Sequence, residues 1–352
     1  MKQKNIRIVT DDGQEVEAIA PTILSVSRAT DIPAFYTQWF FNRLAKGYCR
    51  WRNPFNGTDS YVSFRNVHFI VFWSKNPAPI IPYLPILKEK GINCYFQYTL
   101  NDYEAEELEP NVPILSERIK TFRVLSRLLG KCGVVWRFDP MILTDRISID
   151  DLILKIEHLG QQLYGYTDTL VFSFADISSY RKVSSNLMRH GIRYKEWTEE
   201  LMLGFAERLN VLNDRMGWNF NLKTCTERIS LEELNILHSR CIDQERIAKI
   251  AWQDEKLMEY IGMKVENRIS NIFDEANIVP QGAIELDENH YALSTKRKKD
   301  TGQRKLCGCF PAKDIGQYNT CPHGCLYCYA NLSPGSALQN SAKHKKDSDI
   351  II

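Results

Sequence analysis

The sequence predicts an α/β protein built on parallel strands, closed fully or partly into a (β/α) barrel and followed by a cysteine-rich C-terminal extension. Three observations lead there. Short, nearly continuous apolar runs recur through the first two thirds of the chain, amphipathic stretches lie between them, and five of the ten cysteines fall between Cys307 and Cys328.

The runs are TILSVSR (22–28), HFIVFWSKNP (68–77), NCYFQYTL (93–100), VVWRFDP (134–140), TLVFSFAD (169–176) and NFNLKTCTE (219–227). Each is rich in β-branched and aromatic residues and ends in polar groups, as strands buried on both faces do. Between them, AFYTQWFFNRLAKG, LSERIKTFRVLSRLLG, IDDLILKIEHLGQQL and WTEELMLGFAERLNVLND repeat apolar residues at intervals of three and four, the pattern of crossover helices. Six such units in βα order favour a barrel, with an open doubly wound sheet as the alternative. From Ile242 to Ala276 the spacing is helical throughout. Two parts follow: a barrel domain over 1–276, and a cysteine-rich segment over 277–352 packed on the barrel mouth. Within the second part, STKRKKDTGQRKLCGC reads as a solvated basic loop. The stretch SPGSALQNSAKHKKDSDIII reads as loosely ordered apart from its apolar end.

Composition narrows the class. Apolar residues make up 44% and charged residues 25% of 352, with a net charge of +2, which argues against disorder and fibres and supplies no bulk field toward nucleic acid or a membrane. No stretch approaches the ~18 apolar residues of a membrane helix, and MKQKNIRIVTDDGQEVEAIA lacks the apolar run of a signal peptide. The expected location is the cytoplasm, where clustered cysteines read as metal ligands or redox groups and not as disulfides.

In either α/β architecture the ligand site forms at the carboxyl ends of the strands. The residues there are Ser27, Arg28 and Asp31; Ser74, Lys75 and Asn76; Gln97 and Thr99; Arg137 and Asp139; Ser173 and Asp176; then Lys223, Cys225 and Glu227. Arg28, Lys75 and Arg137 suit an anionic group, with Asp31, Asp139 and Glu227 as balancing charges. A buried ion-pair network tying the strands together predicts the same residues.

Cys321, Cys325 and Cys328 have the spacing C-x3-C-x2-C, which brings three thiolates from one short loop onto one metal or cluster. A structural zinc needs a fourth ligand, from His323, Cys307 or Cys309. A [4Fe-4S] cluster would leave one iron open. His323 lies two residues from both Cys321 and Cys325, a strained position for a fourth ligand, which favours the cluster. Cys225, Cys241, Cys307 and Cys309 suffice for a second site, holding a second [4Fe-4S] cluster or a zinc, with buried unligated thiols as the plain alternative. Cys49, Cys94 and Cys132 read as small apolar residues.

The stretch CPHGCLYC resembles the cluster loop of radical S-adenosylmethionine enzymes, and YCYAN is similar to the spore photoproduct lyase type. SRATDIPA, FWSKNP, WRFDP, RCID and CGCFPAKDIGQYNTCPHGCLYCYAN together resemble the bacterial family named domain of unknown function 1848, over roughly residues 22 to 331. The resemblance implies a radical-enzyme cluster placed at the C-terminus instead of the N-terminus. Cys321, Cys325 and Cys328 would bind three irons, and S-adenosylmethionine would chelate the fourth. One-electron cleavage of the sulfonium would give a radical that abstracts hydrogen from a polar or anionic small molecule. It also implies that the main chain around Tyr327 lies against the adenine, that Arg28, Lys75, Asn76, Arg137, Asp139 and Glu227 complete the cofactor and substrate site, and that flavodoxin or ferredoxin donates electrons. One alternative is a nucleic-acid substrate, suggested by the KRKK run and by Trp39, Tyr48 and Trp51 near Arg43, Arg50 and Arg52. The other is a zinc-stabilised binding protein without enzymatic activity.

Overall fold

A computed structural model describes residues 4–268, 279–296 and 298–352, so the boundary expected at 276 lies outside the described residues. All six apolar runs contain a strand of one sheet. They are β1 (Ile23–Val26), β2 (Phe69–Ser74), β3 (Asn93–Thr99), β4 (Val134–Met141), β5 (Thr169–Phe174) and β6 (Asn221–Thr224). Two short strands complete it, β7 (Leu237–His238) and β8 (Lys313–Asp314). The order is β7-β6-β5-β4-β3-β2-β1-β8, and every neighbouring pair is parallel. The register sets Ile23 beside Phe69, Phe69 beside Asn93, Phe96 beside Val134, and Trp136 beside Leu170.

The continuous apolar runs follow from burial on both faces. Leu24, Val26, Ile70, Phe72, Phe96, Trp136 and Phe172 point toward the layer of crossover helices, which includes Leu115–Leu129, Ile149–Leu163 and Glu199–Arg215. Ile23, Phe69, Val71, Tyr95, Val135 and Val171 point to the other face, where Ile247, Ala248 and Ala251 of helix Gln244–Ala251 and Leu257, Met258 and Ile261 of helix Glu255–Ile261 cover them. Each such side chain contributes about 1.5–3 kcal/mol of burial. Ser148 and Asp151 form a capping box at the start of Ile149–Leu163, and Thr198 accepts from Leu201 N at the start of Glu199–Arg215, so both helices begin where their acidic first turns suggest.

The structure departs from the expected order in three places. Between β1 and β2 the chain forms helix Thr37–Lys46 and then strands Tyr48–Arg52 and Asp59–Ser63, which pair with each other. The second of these lies beside the N-terminal hairpin Lys4–Val9/Glu15–Ala20 in a separate four-stranded sheet. Among the described residues of the span expected to be helical to Ala276, helix stops at Ile261, because Gly262 takes φ +70 and the chain enters strand Met263–Asn267, paired antiparallel with His290–Ser294. The C-terminus is packed rather than loose. Helix Pro334–Ser341 has its own capping box, Ile350 and Ile351 are buried, Asp349 pairs with Arg50 at 3.0 Å, and the Trp39 indole donates to Ser348 O at 2.9 Å.

Two of the aromatic residues expected to form a stacking surface lie inside the fold. Trp39 and Tyr48 are buried in the fold, and Arg43 is buried against Asp11 at 2.7 Å. Among the described residues no helix is long and apolar enough to cross a membrane.

Candidate functional site

A cavity of about 740 Å³ opens at the carboxyl ends of β1 to β6. Its wall includes Arg28, Lys75, Thr99, Arg137, Asp139, Ser173 and Glu227 from the strand ends, and seven of the ten cysteines. Cys321, Cys325 and Cys328 approach from the C-terminal segment. Cys225, Cys241, Cys307 and Cys309 belong to the same wall. Asn76 does not reach it, and its side chain instead accepts from Ala78 N at 3.4 Å.

The cysteine loop is fixed over the strand ends by its main chain. Leu326 N donates to Leu108 O at 3.0 Å, Asn111 N to His323 O at 3.1 Å, and Asn111 Nδ2 to Pro322 O at 2.9 Å. From the other side the Tyr36 hydroxyl donates to Thr320 O, and Asn331 Nδ2 to Cys321 O at 2.8 Å. Gly324 turns the chain between the first two cysteines with φ +72, and a Cβ there would stand 3.0 Å from Asn111 Nδ2. Both His323 nitrogens have partners, Asp31 Oδ2 at 2.8 Å and Asn111 O at 3.3 Å, which removes His323 from the set of metal ligands. Asp31 also accepts from Ser74 Oγ at 2.7 Å and Lys75 N at 2.8 Å, so the loop is tied to the end of β2.

The cations at the strand ends divide into two kinds. Lys75 is not free for an anion: its ammonium contacts Glu109 at 2.7 Å and the Tyr327 hydroxyl at 2.9 Å, and the Tyr327 hydroxyl also donates to Glu109. Arg137 is bound to Asp139, to Gln97 Oε1 at 3.1 Å and to Cys241 Sγ at 3.4 Å, while Asp139 accepts from Ser173 as well. For these residues the ion-pair reading holds. Arg28 differs. Its guanidinium lies over the Trp73 ring at 4.9 Å, and its Nη2 is buried without a hydrogen-bond partner. Glu227 accepts from Phe174 N at 2.9 Å, and burial pushes its carboxyl up to about 7.

Burial likewise pushes the Cys321 thiol up to about 12 and holds Cys325 and Cys328 above their ordinary value. Main-chain N–H groups oppose this rise, those of His323 and Asp31 at Cys321 and those of Ala330 and Asn331 at Cys328. Such donors stabilise thiolate sulfur in cluster sites. Among the described residues, no group of three or more His, Cys, Asp or Glu side chains is arranged to hold a single metal ion.

Sequence reasoning missed Glu109, Asn101 and Asp314. Asn101 Nδ2 reaches Glu109 at 3.2 Å and Tyr327 at 3.1 Å, and Asp314 accepts from Ser27 Oγ at 2.8 Å and Arg28 N at 2.9 Å. Asn101 directly follows the run NCYFQYTL and is legible as its polar end, whereas Asp314 follows no apolar run and Glu109 stands in an acidic stretch, EAEELEP, with nothing to single it out.

The model of one family, described as domain of unknown function (DUF1848), matches residues 23–330. No curated protein and no solved structure matches the chain.

Proposed function

The chain belongs to the family of domain of unknown function DUF1848, and from the site that it builds we propose that it is an iron–sulfur enzyme of the radical S-adenosylmethionine type. The observation that carries this is the convergence of Cys321, Cys325 and Cys328, from one C-x3-C-x2-C loop, on the wall of a cavity at the parallel-strand ends. Three thiols from one loop beside a cavity of that size suit a [4Fe-4S] cluster with one open iron, whereas a structural zinc would need a fourth ligand. When bound, the cluster and S-adenosylmethionine supply one-electron reduction and hydrogen abstraction.

The protein's own contribution is holding and enclosing. Cys321, Cys325 and Cys328 hold the irons, and the N–H groups beside Cys321 and Cys328 favour their thiolate form. Arg28, with a free buried donor, takes the carboxylate or phosphate of cofactor or substrate. Tyr327, pinned by Glu109, Lys75 and Asn101, fixes the loop over the cavity. In this reading the sheet is a partial barrel whose mouth the C-terminal segment covers. The partners are a polar or anionic small molecule and a one-electron donor such as flavodoxin or ferredoxin, in the cytoplasm.

The test is iron, sulfide and zinc analysis with an optical spectrum on protein purified without oxygen, together with S-adenosylmethionine cleavage under dithionite. Iron and sulfide that disappear in the Cys321→Ala/Cys325→Ala/Cys328→Ala variant, with cleavage activity lost in parallel, support the reading. Zinc in place of iron, or iron that the variant retains in full, refutes it.

A further inference from the structure

Within the basic stretch STKRKKDTGQRKLCGC, two cations serve the fold itself. Lys298 donates to Tyr260 O at 2.8 Å, and Lys299 donates to Lys305 O. Arg304 differs. It is an exposed residue on the wall of the strand-end cavity, where its Nη2 donates to the Tyr180 hydroxyl at 3.0 Å and its Nη1 to Thr226 Oγ1 at 3.4 Å. Both acceptors are neutral. On the same wall the Arg28 guanidinium lies over the Trp73 ring at 4.9 Å, with Nη2 buried and unpartnered. Lys75 and Arg137 are each paired with a carboxylate at the cavity, whereas among the described residues neither Arg28 nor Arg304 has one within ion-pair distance.

Three tyrosines connect the two arginines. The Tyr329 hydroxyl donates to Arg28 O at 3.3 Å, the Tyr329 and Tyr180 rings lie 6.2 Å apart, and Tyr180 holds Arg304. Burial pushes the Tyr318 hydroxyl up, and Arg28 and Arg304 both act against that rise, so both guanidiniums stand near one phenol. Tyr180, Tyr318 and Tyr329 are 37%, 39% and 45% exposed and all line the cavity, which leaves ring surface open to a ligand. The carboxyls that act here do not cancel the two cations. Glu227, on which Arg304 acts, is pushed by burial up to about 7 and is only partly ionised at neutral pH. Asp314, which acts on Arg28, already accepts from Ser25 Oγ, Ser27 Oγ, Arg28 N and Gly316 N.

We propose that Arg28 and Arg304, together with the rings of Tyr180, Tyr318 and Tyr329, form a binding site for a phosphate monoester carried on a planar ring system, as in a mononucleotide. The site deepens the reading of Arg28 as an anion donor and rests on the same cavity, but it uses none of the loop cysteines. A carboxylate has two oxygens and is satisfied by one guanidinium fork. A phosphate monoester has a third terminal oxygen and a second negative charge, which suit two forks from separate segments with phenol hydroxyls beside them. The exposed tyrosine rings supply faces on which a flat ring stacks. A cavity of about 740 Å³ has room for one molecule of that size.

Calorimetric titration of the full chain with adenosine 5'-monophosphate, adenosine and inorganic phosphate tests this. The monophosphate should bind at least about tenfold more tightly than adenosine or phosphate. Arg28→Gln should weaken it by about 10- to 100-fold, and Arg304→Gln, at an exposed position, by about 3- to 10-fold. Arg28→Lys, which keeps the charge and loses the fork, should fall between wild type and Arg28→Gln. Circular dichroism identifies any variant that fails to fold, and Arg28→Lys and Arg304→Gln carry the test if Arg28→Gln is one. Adenosine or phosphate that binds as tightly as the monophosphate, undiminished binding in folded arginine variants, or no binding of the monophosphate at millimolar concentration overturns the site. The Cys321→Ala/Cys325→Ala/Cys328→Ala variant should bind the monophosphate within about threefold of wild type. Monophosphate binding by wild-type protein that holds no iron leaves this site standing while the radical-enzyme reading fails, and iron with S-adenosylmethionine cleavage but no monophosphate binding gives the reverse.

Discussion

Replacing Glu109 with Gln tests whether a buried charge cluster holds the cysteine loop to the strand ends. The side chains of Glu109 and Arg118 are 3% exposed and that of Lys75 is 16% exposed. The carboxylate faces Lys75 Nζ at 2.7 Å and Arg118 Nη1 at 3.4 Å, and it also receives Asn101 and the Tyr327 hydroxyl. E109Q keeps the shape but leaves two buried cations without an anion, and removing one partner of a buried pair costs about 3–5 kcal/mol. With an unfolding entropy of about 2.1 cal/mol/K per residue, this lowers Tm by roughly 4–7 °C for a chain of this length. Lys75→Met leaves Glu109 with Arg118 and should cost less. The pH dependence has a definite sign. Burial pulls the Glu109 carboxyl upward, but Lys75 and Arg118 outweigh it and hold the group below the ordinary 4.5. Its contribution is therefore complete above pH 4.5 and lost as pH falls through the lowered value, so the gap between wild type and E109Q closes on acidification. Calorimetry of both proteins from neutral pH downward measures this. A neutral-pH Tm within about 1 °C of wild type, or a gap that widens in acid, would refute the reasoning.

Three further outcomes follow from the same geometry. His323→Ala should bind as much metal as the wild type while losing about 1.5–3 kcal/mol in urea unfolding, because both ring nitrogens are engaged by Asp31 and Asn111. A loss of iron from folded protein would restore His323 as a ligand. Gly316→Ala should cost about 1–3 kcal/mol by overpacking, since a Cβ there would stand 1.7 Å from Ser27 Oγ; an unchanged denaturation midpoint would count against the close docking of the C-terminal segment on β1. Ile351→Ala should cost about 2–5 kcal/mol as a core truncation, given that Ile351 is 1% exposed; a value near zero, read by denaturant titration, would mean that the last residues do not pack.

The main sheet was legible where burial on both faces wrote itself into composition. Runs such as HFIVFWS and TLVFSF have no polar alternation to confuse with a surface strand, and both became central strands. The strands that escaped notice are short or polar. Leu237–His238 and Lys313–Asp314 have two residues each, and at that length no periodicity exists to read. Tyr48–Arg52 interleaves arginines with aromatics, which looks like a stacking surface in one dimension. In three dimensions Arg50 and Arg52 pair with Asp59 across the hairpin, and Trp51 gives its N–H to Gly316 O. Sequence shows the charge of a residue but not its partner.

That same limit explains the site. Arg28, Lys75 and Arg137 look equivalent at the ends of β1, β2 and β4, yet the anions that occupy two of them come from unrelated places. Glu109 lies in the connection after β3, and Asp139 lies two residues past Arg137. Arg28 Nη2 is buried without a partner, and the carboxylate of Asp314, which acts on its charge, is already committed elsewhere. Asp314 accepts from Ser25 Oγ, Ser27 Oγ, Arg28 N and Gly316 N, which saturates both of its oxygens with the backbone turn and hydroxyls that join β8 to β1. The C-terminal segment thus does two things with one contact. It supplies the edge strand that brings the cysteine loop to the cavity, and its aspartate fixes the main chain of Arg28 while the guanidinium lies over Trp73. Docking of the cysteine loop and fixing of the Arg28 main chain therefore rest on one contact, that of β8 with β1.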